Sequence, residues 1–182
     1  TSDASREIRT ELFAQILEGI AFLHTNGMSH RDIKPANLAV IAFDPPHARI
    51  LDFGCATFSE RTMYDSPGTI PYLAPEQEKG KYHDRSVDYW AAALVGLEVL
   101  GYKHRGRVDA DQFSKIRTWL EDFAQGRSTH PMATCSKAML QWDPEHRMTA
   151  QEALSRHLSA HRYHLQIKDQ KRFGIPIERD VN

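Results

Sequence analysis

The chain lacks the features that would assign it to a secreted, membrane or nucleic-acid-binding class. Only Cys55 and Cys135 among its 182 residues are cysteines, too few for a disulfide framework. Its 23 Lys and Arg residues balance 24 Asp and Glu residues, so charge predicts neither a nucleic-acid partner nor a membrane surface. The longest apolar run, residues 90–97, meets Glu98 well short of a membrane span. We therefore expect an intracellular protein of the cytoplasm or nucleus.

The number of glycines is ordinary, but their spacing excludes one kind of nucleotide-binding loop. No two of the ten glycines form Gly-x-Gly, so the phosphate-covering loop Gly-x-Gly-x-x-Gly is absent, and no Val-Ala-Ile-Lys-like strand is present. A length of 182 residues with 41% hydrophobic and 26% charged residues suits one compact domain. The chain does not begin with Met, so we expect a fragment of a longer protein.

Residues 30–37, His-Arg-Asp-Ile-Lys-Pro-Ala-Asn, place an acid and a cation two residues apart. Asp32 can accept or orient the proton of an attacking hydroxyl, and Lys34 can neutralise charge on a transferred phosphoryl group. Alternatively, Asp32 caps a turn before Pro35. The register of the acid, the cation and the terminal amide favours catalysis.

A second polar group follows at residues 52–54, Asp-Phe-Gly. Asn37 and Asp52 offer the hard oxygen ligands that Mg²⁺ prefers together with phosphate. Asp52 could instead cap a turn at Gly54. The strand predicted before Asp52 favours a metal ligand there.

These two motifs resemble the catalytic loop and the metal-binding turn of eukaryotic protein kinases, and the position of the Lys is similar to the serine/threonine branch. Three further segments match the same family in the same order. Residues 68–76 resemble the end of an activation segment, residues 87–90 the start of the buried central helix, and residues 143–150 the segment that brings an Arg to the Ala-Pro-Glu glutamate. The resemblance covers roughly residues 5–165.

The resemblance implies a mainly α fold, the large lobe of a kinase, with a short β-hairpin between the catalytic loop and Asp-Phe-Gly. The 29 residues before His30 predict one helix rather than a small lobe (residues 1–29). The implied organisation is a lobe over residues 1–164, which contains the catalytic loop 30–37, the metal turn 52–54 and the activation segment 52–76, followed by a tail over residues 165–182.

Hydrophobic periodicity gives the local structure. Apolar residues Ile8, Leu12, Ile16, Ile20 and Leu23 define one helix face. The predicted helices are 5–26, 88–100, 112–123, 132–142 and 149–158; the predicted strands are 38–41 and 49–51, and residues 55–68 are predicted to form a loop.

For the nucleotide site, the resemblance implies that ATP is the co-substrate with Mg²⁺. Lys34, Asn37, Leu51 and Asp52 would contact the nucleotide or its metal, and Asn37 and Asp52 would be the metal ligands. Ala39 stands where the family usually has a Leu under the adenine, which weakens nucleotide packing by about 1–2 kcal/mol.

Other motif residues are implied to be architectural. His30 would pack on Phe53 beside Gly54 and bond the backbone, Thr69 would bridge Asp32 and Lys34, and Asp88 would accept backbone N–H bonds near His30 and Arg31. Glu76 and Arg147 would form a buried bidentate ion pair.

The resemblance also implies that Arg31 is the cation that would receive a phosphate on the activation segment. Asp65, four residues before Thr69, either substitutes partly for that phosphate or is a solvated loop residue. Thr62 and Ser66 are candidate phosphorylation sites.

Two functions remain open. The first is the catalytic large lobe of a serine/threonine protein kinase, with a protein as substrate, inactive or nearly so without a small lobe. The second is a truncated kinase-like module, or pseudokinase, that acts by binding proteins. We expect a small lobe or flanking domain as partner, and self-association through the surface that would face it.

Overall fold

The computed structural model describes residues 3–63, 68–77, 81–101 and 130–158. Within these ranges helix predominates, and the strands form two short antiparallel pairs. The expected mainly helical fold with a short β-hairpin before Asp-Phe-Gly is confirmed. In chain order the elements are α1 (Asp3–Thr25), β1 (Leu38–Phe43), β2 (Pro46–Ile50), β3 (Thr62–Met63), β4 (Tyr82–His83), α2 (Val87–Val99), α3 (Pro131–Met139) and α4 (Ala150–Ala153), which continues as a π-helical turn, Leu154–Leu158.

Helix α2 is the centre of the core. It is apolar on all sides, and residues 87–97 are buried, because α1 and α3 pack against it. The approach is closest at Gly96, where a Cβ atom would lie 2.7 Å from Ser136 Oγ and 2.8 Å from the Phe13 ring. A larger residue at position 96 would therefore push α1 and α3 away from α2.

Helix α1 joins the core to the hairpin. Its residues Phe13, Leu17 and Ile20 are buried. The Gln15 amide donates to Pro46 O at 2.9 Å and accepts from Ala48 N at 2.9 Å, which satisfies backbone groups on the outer edge of β2. The hairpin is thereby fixed to the helix that precedes the catalytic loop.

The hairpin brings the two sequence motifs together. Strands β1 and β2 pair from Leu38–Ile50 to Phe43–Pro46, with an irregularity between Val40 and Ala42. The pairing continues beyond the strands, since Leu51 N donates to Asn37 O at 2.8 Å. The last residue of the catalytic loop thus lies beside the residue that precedes Asp52.

Three local predictions need correction. The described part of the predicted loop 55–68 contains short pairings, because Thr57 bridges Ser29 and β3 pairs with β4. The predicted helix 132–142 ends at Met139, since Pro144 disfavours helical geometry in the residue before it and Leu140 already leaves the helix. The predicted helix 149–158 is one α-helical turn followed by a π-helical turn.

The helix predicted at 112–123 and the tail 165–182 lie outside the described residues. In the part of the chain that is described, no helix has the length and apolar character needed to cross a membrane.

Candidate active site

Asp32 is the centre of a closed network of side chains. Its Oδ1 accepts a hydrogen bond from Thr69 Oγ1 at 2.9 Å, and its Oδ2 accepts from Lys34 Nζ at 2.7 Å and from Asn37 Nδ2 at 3.0 Å. Lys34 Nζ also donates to Thr69 Oγ1 at 2.7 Å. The structure therefore brings together an acid, a cation, a hydroxyl and an amide from the catalytic loop and the activation segment.

Among the described residues, this network leaves one lone-pair position of Asp32 without a donor. A carboxylate has about four lone-pair positions, and the three donors above use three of them. The fourth lone-pair position is on Oδ1, because Oδ1 accepts only from Thr69 whereas Oδ2 accepts from both Lys34 and Asn37. All three donors are side chains rather than turn amides, so these contacts differ from those of an Asp that caps a turn before Pro35.

Asp88, at the start of α2, fixes the backbone of the catalytic loop. Its Oδ2 accepts from His30 N at 2.8 Å and its Oδ1 accepts from Arg31 N at 2.7 Å. Arg31 has a φ of 67°, a left-handed conformation that costs energy in a residue with a side chain. The buried carboxylate stabilises that conformation and so sets where Asp32 lies.

Two residues that the sequence analysis missed complete this contact. His24 Nε2 lies 2.8 Å from Asp88 Oδ2, and His24 Nδ1 lies 2.9 Å from Tyr89 Oη. Burial raises the pKa of Tyr89 to about 12, so its hydroxyl stays neutral. The signal was present in the sequence: the apolar series at positions 12, 16 and 20 continues at His24, and a polar residue on a buried face needs partners.

His30 is buried and fully hydrogen-bonded. Its Nδ1 accepts from Asp32 N at 3.3 Å, so its Nε2 carries the proton and donates to Leu51 O at 3.0 Å. Its ring packs on Phe53 with centroids 5.1 Å apart. With both nitrogens engaged, His30 holds the catalytic loop against the metal turn.

The orientation of Asn37 suits a metal ligand. Its Nδ2 donates to both Asp32 O, at 2.9 Å, and Asp32 Oδ2, so the carbonyl Oδ1 is the atom left to face a cation. Asp52 has a φ of 59° and its Oδ1 accepts from Gly54 N at 3.1 Å. The turn-capping contact at Asp52 is therefore present, and it leaves Oδ2 for another partner.

These two oxygens fit Mg²⁺ and not a metal held by protein alone. No group of three His, Cys, Asp or Glu side chains able to hold a metal occurs among the described residues. Mg²⁺ in nucleotide sites usually takes one or two protein ligands and completes its shell with phosphate and water. A carboxylate and an amide oxygen on adjacent segments match that donor set.

The activation segment crosses the catalytic loop at Gly68. This residue has a φ of 98°, and a Cβ atom there would lie 2.9 Å from Arg31 O. Beyond it, Tyr72 Oη donates to Glu98 at 3.1 Å, which attaches the segment to α2. Burial, and then the Glu98 charge, raise the pKa of Tyr72. The segment is thus anchored on both sides of Thr69.

Glu76 and Arg147 form a bidentate pair at the end of this segment. Arg147 Nη1 and Nη2 donate to the two carboxylate oxygens of Glu76, the latter at 2.7 Å. The guanidinium also donates to Gln141 O and Ser86 O and lies 5.0 Å from the centroid of the Trp90 ring. This ion pair holds the end of the activation segment to the core.

The remaining predicted residues are placed as follows. Arg31 Nε donates to Cys55 O at 2.6 Å, and Thr62 Oγ1 bonds His83 Nε2 at 3.1 Å. Ser66 and Asp65 lie outside the described residues. Leu51, proposed to contact the nucleotide, is exposed.

Several apolar side chains of β1 and of the residues flanking Asp52 are exposed. They lie at three positions of β1 and on either side of Asp52, and they are 43–63% exposed: Val40, Ile41, Phe43, Leu51 and Phe53. We call these five residues the hairpin face.

The sequence of the chain is similar to those of known protein kinases. The chain is 30% identical over 157 residues, 82% of its length, to the serine/threonine-protein kinase AtPK2/AtPK19 of Arabidopsis thaliana. It is 34% identical over 168 residues, 84% of its length, to calcium/calmodulin-dependent protein kinase type 1 of Caenorhabditis elegans. It is 38% identical over 93 residues, 48% of its length, to the serine/threonine-protein kinase grp of Drosophila melanogaster.

The chain spans 32%, 44% and 18% of these three relatives, respectively, so it matches less than half of each. The protein kinase domain matches residues 2–159, which include every motif described above. Because this domain matches most of the chain and the relatives above are protein kinases, the chain belongs to the protein kinase domain family.

Proposed function

We propose that the chain is the catalytic large lobe of a serine/threonine protein kinase, which transfers a phosphoryl group from ATP to a Ser or Thr hydroxyl of a protein. The observation that carries the proposal is the network of Asp32, Lys34, Asn37 and Thr69. A binding module has no need of an acid with one lone-pair direction left open beside a fixed cation. An intracellular setting, cytoplasm or nucleus, is part of the proposal.

Each residue of the network has a distinct task. Asp32 Oδ1 accepts a hydrogen bond from the incoming Ser or Thr hydroxyl and so aligns its oxygen for attack. Lys34 Nζ has three protons, of which two bond Asp32 and Thr69, and the third is directed to the transferred phosphoryl group. Asn37 Oδ1 and Asp52 would hold Mg²⁺, which when bound neutralises charge on the nucleotide phosphates.

We further propose that the chain alone transfers phosphate very slowly or not at all. Phosphoryl transfer depends on positioning and charge stabilisation, and both need the nucleotide to be held on two sides. The sequence contains no glycine-rich loop and no strand Lys of the small-lobe type. A small lobe, supplied by the same polypeptide or by a partner, is the missing half.

The test joins the chain to the small lobe of one of the serine/threonine kinases it resembles and measures phosphate transfer to Ser- and Thr-containing peptides. We expect transfer by the fusion and loss of at least about a thousandfold in turnover for Asp32→Asn, with nucleotide affinity almost unchanged, because Asp32 acts mainly as the transition state forms. Thr25→Ala, at the exposed end of α1, is the matched control and retains activity. A folded fusion without transfer would refute the proposal.

A second function is favoured by the hairpin face. Its five exposed apolar side chains, on β1 and beside Asp52, are a candidate contact for another protein, either a small lobe or a second copy of the chain. A kinase-like interaction module would use this face without chemistry. Replacing Ile41 and Phe43 by Ser would then abolish partner binding, whereas Asp32→Asn would leave it unchanged.

A further inference from the structure

His83 is buried in a contact that no sequence motif predicts. It lies on β4, opposite Thr62 on β3, and its Nε2 is 3.1 Å from Thr62 Oγ1. Its exposed fraction is 3%. Strand β3 belongs to the activation segment, whereas β4 follows it and leads into α2. The imidazole therefore joins the middle of the activation segment to the body of the protein.

The charges around the ring oppose one another. Arg31 in the catalytic loop disfavours a second cation, whereas Glu76, Asp84 and the backbone of Lys81 favour it. Because the Glu76 carboxylate is already paired with Arg147, its attraction for a protonated His83 is weakened. Burial and Arg31 prevail and lower the pKa of His83 below its ordinary value.

We propose that the buried His83–Thr62 contact is a pH-sensitive switch, which holds the activation segment in place while His83 is neutral and releases β3 from β4 when His83 takes up a proton. The inference concerns regulation of the proposed kinase site.

The direction of the effect follows from linkage. In the closed form the pKa of His83 is lowered, and in the open form the ring is in water with a pKa of about 6.5. The open form therefore binds more protons as pH falls. The closed pairing has its full stability above about pH 6.5 and loses it as pH falls from there to the pKa of the closed form. One proton changes the opening equilibrium by at most about tenfold per pH unit.

Hydrogen exchange of the 182-residue chain measures this opening. Exchange rates of the β3 and β4 amides, divided by the intrinsic rates at each pH, are expected to rise as pH falls below 6.5, by no more than about tenfold per unit. Amides paired between β1 and β2 open locally without exposing His83 and are expected to lack this slope. The assay involves no nucleotide and no phosphate transfer, so a failure of the proposed kinase function would leave its result unaffected.

Two variants isolate the group responsible. His83→Gln keeps a donor for Thr62 Oγ1 but cannot titrate, so its opening is expected to be independent of pH. His47→Gln on β2 removes an exposed histidine and should behave like the parent. Titration of the His83 ring in the parent by NMR gives the midpoint without any substitution. A midpoint at or above 6.5, a flat exchange profile in the parent, or an unchanged slope in His83→Gln would each overturn the proposal.

Discussion

Removing one member of the Glu76–Arg147 pair should destabilise the fold strongly, and the structure indicates which removal costs more. The side chain of Arg147 is 0% exposed and that of Glu76 is 14% exposed. Breaking a buried ion pair costs about 3–5 kcal/mol, because a charge is left without its partner in a medium that solvates it poorly. The size of each loss depends on which hydrogen bonds and contacts of the remaining partner survive the substitution.

Glu76→Ala leaves a buried guanidinium that still donates to the carbonyls of Ser86 and Gln141 and still faces the ring of Trp90. We expect a loss near the lower limit, about 3 kcal/mol. Arg147→Ala leaves the Glu76 carboxylate mostly buried without its cation and also removes a buried side chain that packs on the Trp90 ring. The lost packing adds to the stranded charge, so the loss should reach about 5 kcal/mol.

Denaturant unfolding of both variants measures these losses, with Arg156→Ala as the matched control. Arg156 and Glu152 also form an ion pair, but their side chains are 62% and 42% exposed. An exposed pair of this kind contributes about 0.5 kcal/mol or less. Replacing both buried partners by Leu and Met should recover part of the loss, since no charge is stranded. If Arg147→Ala unfolds within about 0.5 kcal/mol of the parent, the reasoning is wrong.

Three further results are expected. The chain alone should bind ATP·Mg²⁺ no more tightly than about millimolar by calorimetric titration, and a micromolar constant would contradict its dependence on a small lobe. In the fusion with a small lobe, Asp52→Asn should lower both Mg²⁺-dependent nucleotide affinity and turnover, unlike Asp32→Asn; equal losses of affinity in the two would mean that their roles are misassigned. Tyr89→Phe should destabilise the fold by about 1–2 kcal/mol in denaturant melts, because His24 Nδ1 loses its buried partner. An unchanged midpoint would show that the hydroxyl contributes nothing.

The parts of the fold that sequence predicts are those fixed by local pattern. Helix α2 is apolar on all sides over thirteen residues, so its burial and its bounds are predictable to within a residue. The hairpin consists of two short apolar runs joined by a proline-rich turn. At the ends next to that turn, β1 is two residues longer than predicted and β2 is three residues longer. The resemblance to protein kinases implied that Thr69 bridges Asp32 and Lys34, whereas the hydrogen bond from Asn37 Nδ2 to Asp32 Oδ2 was not predicted.

The parts that sequence does not predict depend on partners distant in the chain. Strands β3 and β4 are two residues each, too short for any periodicity, and Thr62 meets His83 only because the activation segment returns to the start of α2. The role of His24 has the same origin, since its partners Asp88 and Tyr89 lie 64 and 65 residues away. Helical spacing could show that His24 is buried but not what it bonds.

Asp88 explains why catalytic geometry and core stability are connected in this chain. One carboxylate, 1% exposed, accepts hydrogen bonds from two consecutive amides of the catalytic loop and contacts His24 of α1. A surface carboxylate could not hold Arg31 at a positive φ, because water would compete for its oxygens. The site is therefore positioned by α2, whose residues 87–97 are buried. A change that loosens the packing of α2 is expected to displace Asp32, because Asp88 joins that helix to the strained backbone at Arg31.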